Sequence, residues 1–275
     1  MSTTSGAALN PEAPHTSAGA GPALEARNLN RSFGGLRATT EVSFSVVPGS
    51  ITALIGPNGA GKTTVFNLIT NLFPADSGEV LLAGSRIDTL KPEEIAALGL
   101  IRTFQTARVF PGMTVLENVL TGRHRMVKHG LVKQALWLPA SRREERDLVA
   151  RAEGLLDLVL LSRYRDVHAT ELPMGAQKLL EVLRALMAQP TLLLLDEPAA
   201  GLNDTETAEL AALLMAIRAS GITILVVEHN MSLVMGVADH IVVLEAGAVI
   251  ATGTPAEVQR NQRVIKAYLG EEVPS

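Results

Sequence analysis

The sequence predicts an α/β fold in which a largely parallel β-sheet is covered by helices. Three features of the 275 residues point to it. Short apolar runs of strand length alternate with segments of helical spacing, a glycine-rich turn joins one such strand to a helix, and a mainly helical block interrupts the alternation. This alternation is typical of strand–helix–strand units around one sheet.

The N-terminal elements are three β-type segments followed by a helix. "LEARNL" (24–29), "EVSFSVV" (41–47) and "ITALI" (51–55) are short strand-type runs broken by glycine and proline. "KTTVFNLITNLF" (62–73) then carries its apolar residues at helical spacing. The predicted order is therefore strand, glycine loop, helix.

Residues 112–188 form a mainly helical block without a convincing strand, and we expect it to be inserted into the α/β framework. It includes the charged stretch "SRREERDLVARAEGLLDLVLL" (141–161). It closes with "ELPMGAQKLLEVLRAL" (171–186), which predicts an apolar helix that starts just after Pro173. This helix lacks the usual serine or aspartate cap, and that absence needs an explanation.

The strand–helix alternation returns after this block. Its elements are "TLLLLDEP" (191–198), a helix over 204–219, "ITILVVEH" (222–229), a short helix from 230 and "HIVVLEAGAVIATG" (240–253). Two helix starts of the cap-plus-acid type are predicted, at Asn203 with Glu206 and at Thr254 with Pro255 and Glu257. No internal repeat is visible.

Composition limits the classes of protein to which the chain can belong. With 47% hydrophobic and 19% charged residues it can bury a sizeable core. A net charge of -4 with interspersed signs gives no basic field, which argues against a nucleic-acid partner. The absence of cysteine excludes disulfides, zinc-thiolate sites and thiol nucleophiles, and it fits a reducing compartment.

The ends of the chain predict tails around one domain. Residues 1–22 have neither the basic start nor the apolar central run of a signal peptide, so we expect a disordered tail. The apolar runs are of strand length and too short to cross a bilayer. We therefore expect a cytoplasmic protein with one domain over 23–270 and a short tail over 271–275.

The segment "GPNGAGKTT" (56–64) fits a phosphate-binding loop, with Gly56, four residues, Gly61, Lys62 and Thr63. Its glycines let backbone N–H groups turn around phosphate oxygens, and the helix N-terminus adds partial positive charge. Lys62 would neutralise the β and γ phosphates, and Thr63 can ligate Mg²⁺. The alternative is an ordinary glycine-rich turn, but the position between an apolar strand and a helix favours the phosphate loop.

Two further apolar strands end in side chains that suit nucleotide hydrolysis. Asp196 closes "TLLLLD" where it can hold the Mg²⁺ shell, and Glu197 beside it can orient or deprotonate water. Such an acid alone is common at a strand-to-loop junction; paired with the phosphate loop it becomes informative. His229 follows "ITILVVE" at the same strand-end edge, where a neutral imidazole could bond the γ-phosphate and the attacking water. Isolated histidines are more often structural, so no role is assigned to His15, His124, His129, His168 and His240.

Six motifs occur in the order and approximate spacing of the ATP-binding subunits of ABC transporters, which the chain resembles over residues 24–269. They are the loop Gly56–Thr64, Gln105 in "RTFQ", "LPMGAQ", "LLLLDEP", "AGLN" and His229. The resemblance implies a P-loop NTPase fold with a RecA-like core, an antiparallel β subdomain and an inserted helical subdomain over about 112–188. It also implies that ATP and Mg²⁺ bind at the interface of a dimer.

Within that family, several sequence segments are similar to those of the branched-chain amino-acid importer ATPases. The segments that carry this likeness are "RSFGGLRA", "IRTFQTARVFPGMTVLENVL", "LDEPAAGLN", "VVEHNMSLVMGVAD", "VIKAYLGEE" and a helical insertion, "HRMVKHGLVKQALW". This likeness implies an ATP-hydrolysing motor subunit that drives conformational change in membrane permease subunits.

The family resemblance assigns roles to individual residues. Phe33 would stack on adenine, unless it is simply a core aromatic, and Gln105 would touch Mg²⁺ and the attacking water. The implied catalytic residues are Glu197, His229 and Gln105, and the implied metal ligands are Thr63, Gln105 and Asp196. The implied nucleotide-binding residues are Phe33, Gly56, Pro57, Asn58, Gly59, Ala60, Gly61, Lys62, Thr63, Thr64, Gln105, Pro173, Met174, Gly175 and Ala176.

The segment 172–176 departs from the family signature, which is usually Leu-Ser-Gly-Gly-Gln and faces the γ-phosphate bound by the other subunit. Here it is Leu-Pro-Met-Gly-Ala. Pro173 suits a first helical turn, and the N–H groups after it keep an anion site backed by the helix dipole. The lost hydroxyl bond is worth about 1.5 to 3 kcal/mol, which predicts slower turnover unless this subfamily tolerates the change. Asn203 departs too, since the family often has Asp there.

The implied partners are two membrane permease subunits, a second ATP-binding subunit of the same or a different kind, and indirectly a solute-binding protein, at the cytoplasmic face of the membrane. A soluble ABC ATPase that acts on ribosomes or DNA is the first alternative. Only 196 − 62 = 134 positions separate Lys62 from Asp196 in a single cassette, which argues against it. A system for urea or amides, or an envelope lipid exporter, stays open.

Overall fold

The computed structural model describes residues 21–103, 109–123 and 139–269. Its strands are β1 Leu24–Phe33, β2 Leu36–Val46, β3 Ile51–Ile55, β4 Ser77–Leu82, β5 Ser85–Arg86, β6 Leu100–Arg102, β7 Leu192–Asp196, β8 Thr223–Val227, β9 His240–Glu245 and β10 Ala248–Gly253. Its α-helices are α1 Lys62–Ile69, α2 Pro92–Ala97, α3 Val115–Leu120, α4 Pro139–Leu158, α5 Met174–Met187, α6 Asp204–Ala219, α7 Met231–Val237, α8 Pro255–Arg260 and α9 Gln262–Leu269. No helix in these ranges is both long and apolar enough to cross a bilayer.

The larger sheet has six strands in the order β10-β9-β3-β8-β7-β6. All neighbours are parallel except β10, which pairs antiparallel with β9. The central strands β3, β7 and β8 are buried at every position, as expected for a parallel sheet covered on both faces. The predicted α/β fold is therefore confirmed.

The two faces of this sheet belong to two hydrophobic cores. Side chains alternate along a strand, so Leu193 and Leu195 of β7 pack into the core formed with helices α3 to α7. Leu192 and Leu194 point the other way, into a core shared with α1 and the smaller sheet. The nearly continuous apolar run of β7 follows from this two-sided burial.

The smaller sheet is antiparallel, with the strand order β2-β1-β4-β5, and it matches the antiparallel subdomain that the resemblance implies. Strands β4, β5 and β6 and helix α2 were not predicted from the sequence. These elements have two to six residues and lie beside glycines, so they carry too little periodicity to be recognised.

The segment between β6 and β7 is helical, as predicted. Its described residues contain α3, α4, α5 and short 3₁₀ turns, and their only β-type pairing is an isolated bridge between Thr114 and His168. Helix α5 begins at Met174, immediately after Pro173. The predicted insertion "HRMVKHGLVKQALW" lies outside the described residues, as do most of the predicted tails, so the domain bounds stay predictions.

Helix α1 is shorter than its sequence pattern predicts, because it ends at Ile69 rather than Phe73. Asn71 adopts a left-handed conformation with φ of 46°, and the N–H of Leu72 bonds the Asn67 carbonyl at 2.9 Å. A left-handed residue of this kind ends a helix although the apolar spacing continues. The helix starts predicted at Asn203 and Thr254 are confirmed, since each side chain accepts a bond from the N3 amide.

Candidate nucleotide site

The strand register brings the predicted motifs to one edge of the larger sheet. Strand β8 lies between β3 and β7, and its Val227 is opposite both Leu54 and Asp196. The three strands therefore end level with one another, and the segments that follow them start side by side. Ligands of parallel α/β sheets bind at such an edge, outside the carboxyl ends of the strands.

Glycines shape the phosphate loop because other backbone lies against it. A Cβ on Gly56 would come within 2.2 Å of the Leu244 carbonyl oxygen. Gly61, with φ of 97°, is the N-cap of α1, and a Cβ there would lie 2.5 Å from the Ala38 carbonyl oxygen. No described side chain caps α1, so its first N–H groups suit an anion.

Lys62 lies folded over the backbone of this loop and is 7% exposed. Its Nζ donates to the carbonyl oxygens of Gly56 and Pro57, at 2.7 and 2.9 Å. Burial lowers the pKa of Lys62 below its ordinary value, and the negative charges of Glu197 and Asp196 oppose that shift. The positive charge of Lys62 in the phosphate loop therefore interacts with the negative charges of both carboxylates.

Asp196 is held by an arginine that sequence reasoning missed. Its side chain is 2% exposed, and its Oδ2 accepts from Arg102 Nη2 at 2.8 Å. Arg102 also donates to Asn67 Oδ1 at 2.7 Å, so it links β6, α1 and β7. Asp196 Oδ1 is buried and finds no hydrogen-bond partner among the described residues. The only sequence signal was a basic residue just before "TFQ", in a strand too short to predict.

Replacing Arg102 with methionine is expected to lower the free energy of unfolding by about 3 kcal/mol, because Asp196 would keep a buried charge without its partner. Chemical denaturation measures this value. The double variant Arg102→Met/Asp196→Asn should recover part of the loss, since no uncompensated charge remains. If the double variant loses as much stability as Arg102→Met and Asp196→Asn lose in sum, the ion pair is not what stabilises this region.

Glu197 and His229 face the same space. Glu197 has φ of 49°, a conformation that costs a non-glycine residue roughly 1 to 3 kcal/mol and often marks a functional site. Its N–H donates to the Val227 carbonyl oxygen at 2.9 Å. Glu197 Oε2 lies 3.9 Å from His229 Nδ1, too far for a direct hydrogen bond. Both side chains are partly exposed and could contact water at this edge.

Phe33 is the last residue of β1 and is 44% exposed, which argues against the alternative of a core aromatic. Its ring packs edge-to-face on Phe73, with centroids 5.4 Å apart. The guanidinium carbon of Arg31 lies 4.9 Å from the centroid of the Phe33 ring. These contacts hold the ring in place while part of it faces solvent.

The signature turn at the start of α5 packs on the first turn of α6 in the same chain. A Cβ on Gly175 would lie 2.4 Å from Glu206 Oε1, so a larger residue at this position would require the Glu206 side chain to move. Met174 is 61% exposed, and no described side chain caps the helix behind Pro173. Asn203 caps α6 by accepting from the Glu206 N–H at 3.0 Å. The substitution at 203 therefore retains a capping oxygen.

The structure brings together most of the predicted site residues. Around the sheet edge lie Gly56, Pro57, Asn58, Gly59, Ala60, Gly61, Lys62, Thr63, Thr64, Asp196, Glu197 and His229. Gln105 lies outside the described residues. On the neighbouring helix α9, burial raises the pKa of the Tyr268 phenol, and the backbone N–H of Gly56 partly opposes that shift.

A phosphate loop, an Asp-Glu pair at the end of a buried strand and a helical insertion between β6 and β7 define the class of P-loop ATPases built as cassettes. The family model described as ABC transporter matches residues 39–200. A second, described as branched-chain amino acid ATP-binding cassette transporter, matches residues 248–274. The chain belongs to the ATP-binding subunits of ABC transporters, and it binds and hydrolyses ATP.

Curated relatives match nearly the whole chain. The high-affinity branched-chain amino acid transport ATP-binding protein LivG of Escherichia coli K12 is 43% identical over 251 residues, which cover 91% of this chain and 98% of that protein. BraF of Pseudomonas aeruginosa, which carries the same description, matches to the same extent. The probable LivG of Archaeoglobus fulgidus is 38% identical, with 90% and 96% covered.

Solved structures confirm the fold. A nucleotide-free ATP-binding cassette from an ABC transporter aligns with a TM-score of 0.79 at 34% identity, covering 91% of this chain and 100% of that one. An ATP-binding cassette of an ABC transporter in its ADP conformation aligns with a TM-score of 0.77, also at 34% identity and with the same coverage.

Proposed function

We propose that this chain is the motor subunit of an importer for branched-chain amino acids. The observation that carries the solute assignment is the similarity to branched-chain amino acid transport proteins along almost the entire chain, including the C-terminal segment 248–274. The cassette itself holds no assigned solute site, so this assignment depends on family membership.

Each group at the sheet edge has a role that fits its geometry. The loop N–H groups and Lys62 would bind the β and γ phosphates. The buried Oδ1 of Asp196 is an oxygen of the type that Mg²⁺ prefers, so the metal would fit here with the Thr63 hydroxyl as a further ligand, and the family resemblance adds Gln105. Glu197 would polarise the attacking water, His229 would contact the γ-phosphate, and Phe33 would stack on adenine.

A second ATP-binding subunit would complete this site. In this arrangement the backbone N–H groups of Met174 to Ala176, which follow Pro173, face the nucleotide of the partner subunit, and the exposed Met174 lies at the interface. If the partner is a different subunit with an intact signature, the two sites are unequal. The weak signature of this chain then serves the partner's nucleotide.

The variant Pro173→Ser is expected to raise the ATPase rate of the dimer about tenfold, because a hydroxyl bond to a charged phosphate returns to the signature. Steady-state phosphate release from the homodimer and from a mixed dimer measures it. Pro255→Ser, at the first turn of α8, is the matched control. An unchanged rate in both dimers contradicts a catalytic cost of Pro173.

Two membrane permease subunits would dock beside the segment that follows β6. The described part of this surface, residues 109–117, carries the exposed apolar side chains of Phe110 and Met113. The helical insertion would add to the same face. The subunit would thus work as a peripheral protein at the cytoplasmic side of the membrane, with a solute-binding protein acting through the permeases and with no nucleic acid.

Reconstitution tests the function. The ATPase is co-purified with its permease subunits, placed in lipid vesicles and supplied with the solute-binding protein. Leucine, isoleucine and valine should each stimulate ATP hydrolysis, whereas urea and simple amides should not. Stimulation by urea or an amide alone, or by an extracted envelope lipid, would assign the complex to one of those systems instead.

A further inference from the structure

Glu228 is a fully buried carboxylate that the roles above do not use. It lies directly after β8, between Val227 and His229, and it is 0% exposed. Strand β8 is flanked by β3 and β7, so this side chain lies at the centre of the sheet edge. Burying a carboxylate is expensive unless hydrogen bonds compensate for the lost water.

Three backbone donors supply that compensation, and they come from two different turns. Glu228 Oε1 accepts from the N–H of Ala199 at 2.7 Å, in the turn that follows Glu197. Glu228 Oε2 accepts from the N–H groups of His229 and Asn230, at 3.0 and 3.2 Å. One carboxylate thus joins the turn after β7 to the turn after β8 through charge-assisted bonds.

A carboxylate is the group that this arrangement requires. Both of its oxygens accept hydrogen bonds, whereas a glutamine amide offers one acceptor and one donor group. In Glu228→Gln the NH₂ would face an N–H of one turn or the other, so one side of the link must open. The second link between the turns, from the Glu197 N–H to the Val227 carbonyl oxygen, does not touch Ala199 and would remain.

The link joins the turns that carry two partly exposed side chains, Glu197 and His229, which have no direct hydrogen bond between them. Glu197 Oε2 and His229 Nδ1 are 3.9 Å apart, and each is positioned by its own backbone turn. If Ala199 moves relative to His229, the space between the two side chains changes. Displacement of catalytic groups by about 1 Å can cost roughly a hundredfold in rate.

We propose that Glu228 is a positioning residue for ATP hydrolysis, which acts by holding the turn of Glu197 in register with the turn of His229. This inference rests on the proposed roles of Glu197 and His229 at the γ-phosphate. It does not depend on the identity of the transported solute.

The test is the kinetics of Glu228→Gln in the full-length chain. We expect kcat for ATP to fall about tenfold to a hundredfold, while KM and the affinity for a non-hydrolysable ATP analogue change less than about threefold. In a His229→Ala background, Glu228→Gln should lower kcat by less than about a further threefold, since the group that Glu228 positions is gone. If Glu228→Gln fails to fold, Glu228→Asp takes its place, because the shorter carboxylate keeps its charge but withdraws from Ala199.

Asp239→Asn is the matched control. Asp239 also accepts a backbone N–H, from Ile51 at 2.8 Å, and pairs with Arg218 at 2.7 Å, but it lies at the opposite end of the sheet. This variant should lose stability and keep its kcat per folded molecule. A parental kcat in folded Glu228→Gln or Glu228→Asp, or a full multiplicative loss in the His229→Ala background, overturns the inference. If instead the proposed role of Glu197 is wrong, Glu197→Gln alone would keep the parental rate of ATP hydrolysis. That result distinguishes a failure of the site assignment from a failure of the inference about Glu228.

Discussion

Glu197→Gln protein is expected to bind ATP with unchanged affinity and to hydrolyse it roughly a hundredfold to ten-thousandfold more slowly. Glutamine has nearly the same shape as glutamate, so the left-handed turn at this position and its bond to Val227 should persist. The substitution removes the carboxylate that we propose polarises the attacking water. Phosphate release measures the rate, and binding of a fluorescent ATP analogue measures the affinity.

The same variant should accumulate as a nucleotide-bound dimer if, as proposed, a second ATP-binding subunit closes over ATP and hydrolysis lets the pair reopen. Size-exclusion chromatography with and without ATP reports this change. Glu209→Gln, an exposed carboxylate on α6, is the matched control and should remain active and undergo no trapping. A parental hydrolysis rate in the Glu197 variant would show that another group activates the water.

Lys62→Ala is expected to weaken ATP binding about tenfold to a hundredfold, because a charge-assisted contact to phosphate contributes about 1.5 to 3 kcal/mol. The backbone donors of the loop must then hold the triphosphate alone. The carbonyl oxygens of Gly56 and Pro57 also lose their buried donor, which adds some disorder to the loop. Titration with ATP and Mg²⁺, followed by intrinsic or ligand fluorescence, measures the change.

Lys266→Ala supplies the control for Lys62→Ala. Lys266 is exposed on α9, and no hydrogen bond or ion pair joins it to the phosphate loop within the described residues. Its replacement changes the net charge by the same amount as Lys62→Ala. Equal loss of affinity in the two variants would mean that general electrostatic attraction, rather than Lys62 itself, binds the phosphates. An unchanged ATP affinity in Lys62→Ala would contradict the assignment of residues 56–64 as the phosphate-binding loop.

The elements that could be predicted from the sequence are those with long local signals. Strands β3, β7 and β8 are unbroken apolar runs, and helices α5 and α6 begin with a proline and a capping asparagine. Strands β5 and β6 have two and three residues, and no periodicity can develop over so few positions. The end of α1 was also missed, because a left-handed Asn71 stops a helix whose apolar spacing continues.

The residues of the candidate site also fall into two groups, those that a local sequence signal could predict and those that it could not. Lys62, Asp196, Glu197 and His229 each belong to a short motif at the end of an apolar strand, so their chemistry could be predicted from local sequence alone. Arg102 could not be predicted, because its role depends on Asp196, 94 positions away. Glu228 stands beside His229 in the sequence, yet its shortest hydrogen bond is to Ala199, which lies 29 positions earlier.

The sequence by itself determined the fold class and the family, and it predicted the chemistry of the nucleotide site, because strand periodicity, a glycine-rich turn and strand-end acids are local properties of the chain. Only the tertiary structure decided which of those groups face one another, that Arg102 pairs with Asp196, and that Glu228 bridges the two turns. The physical reason is that parallel strands are joined by long crossovers. Neighbours at the sheet edge are therefore distant in the chain, and hydrogen bonds between their turns exist only once the strands lie in register.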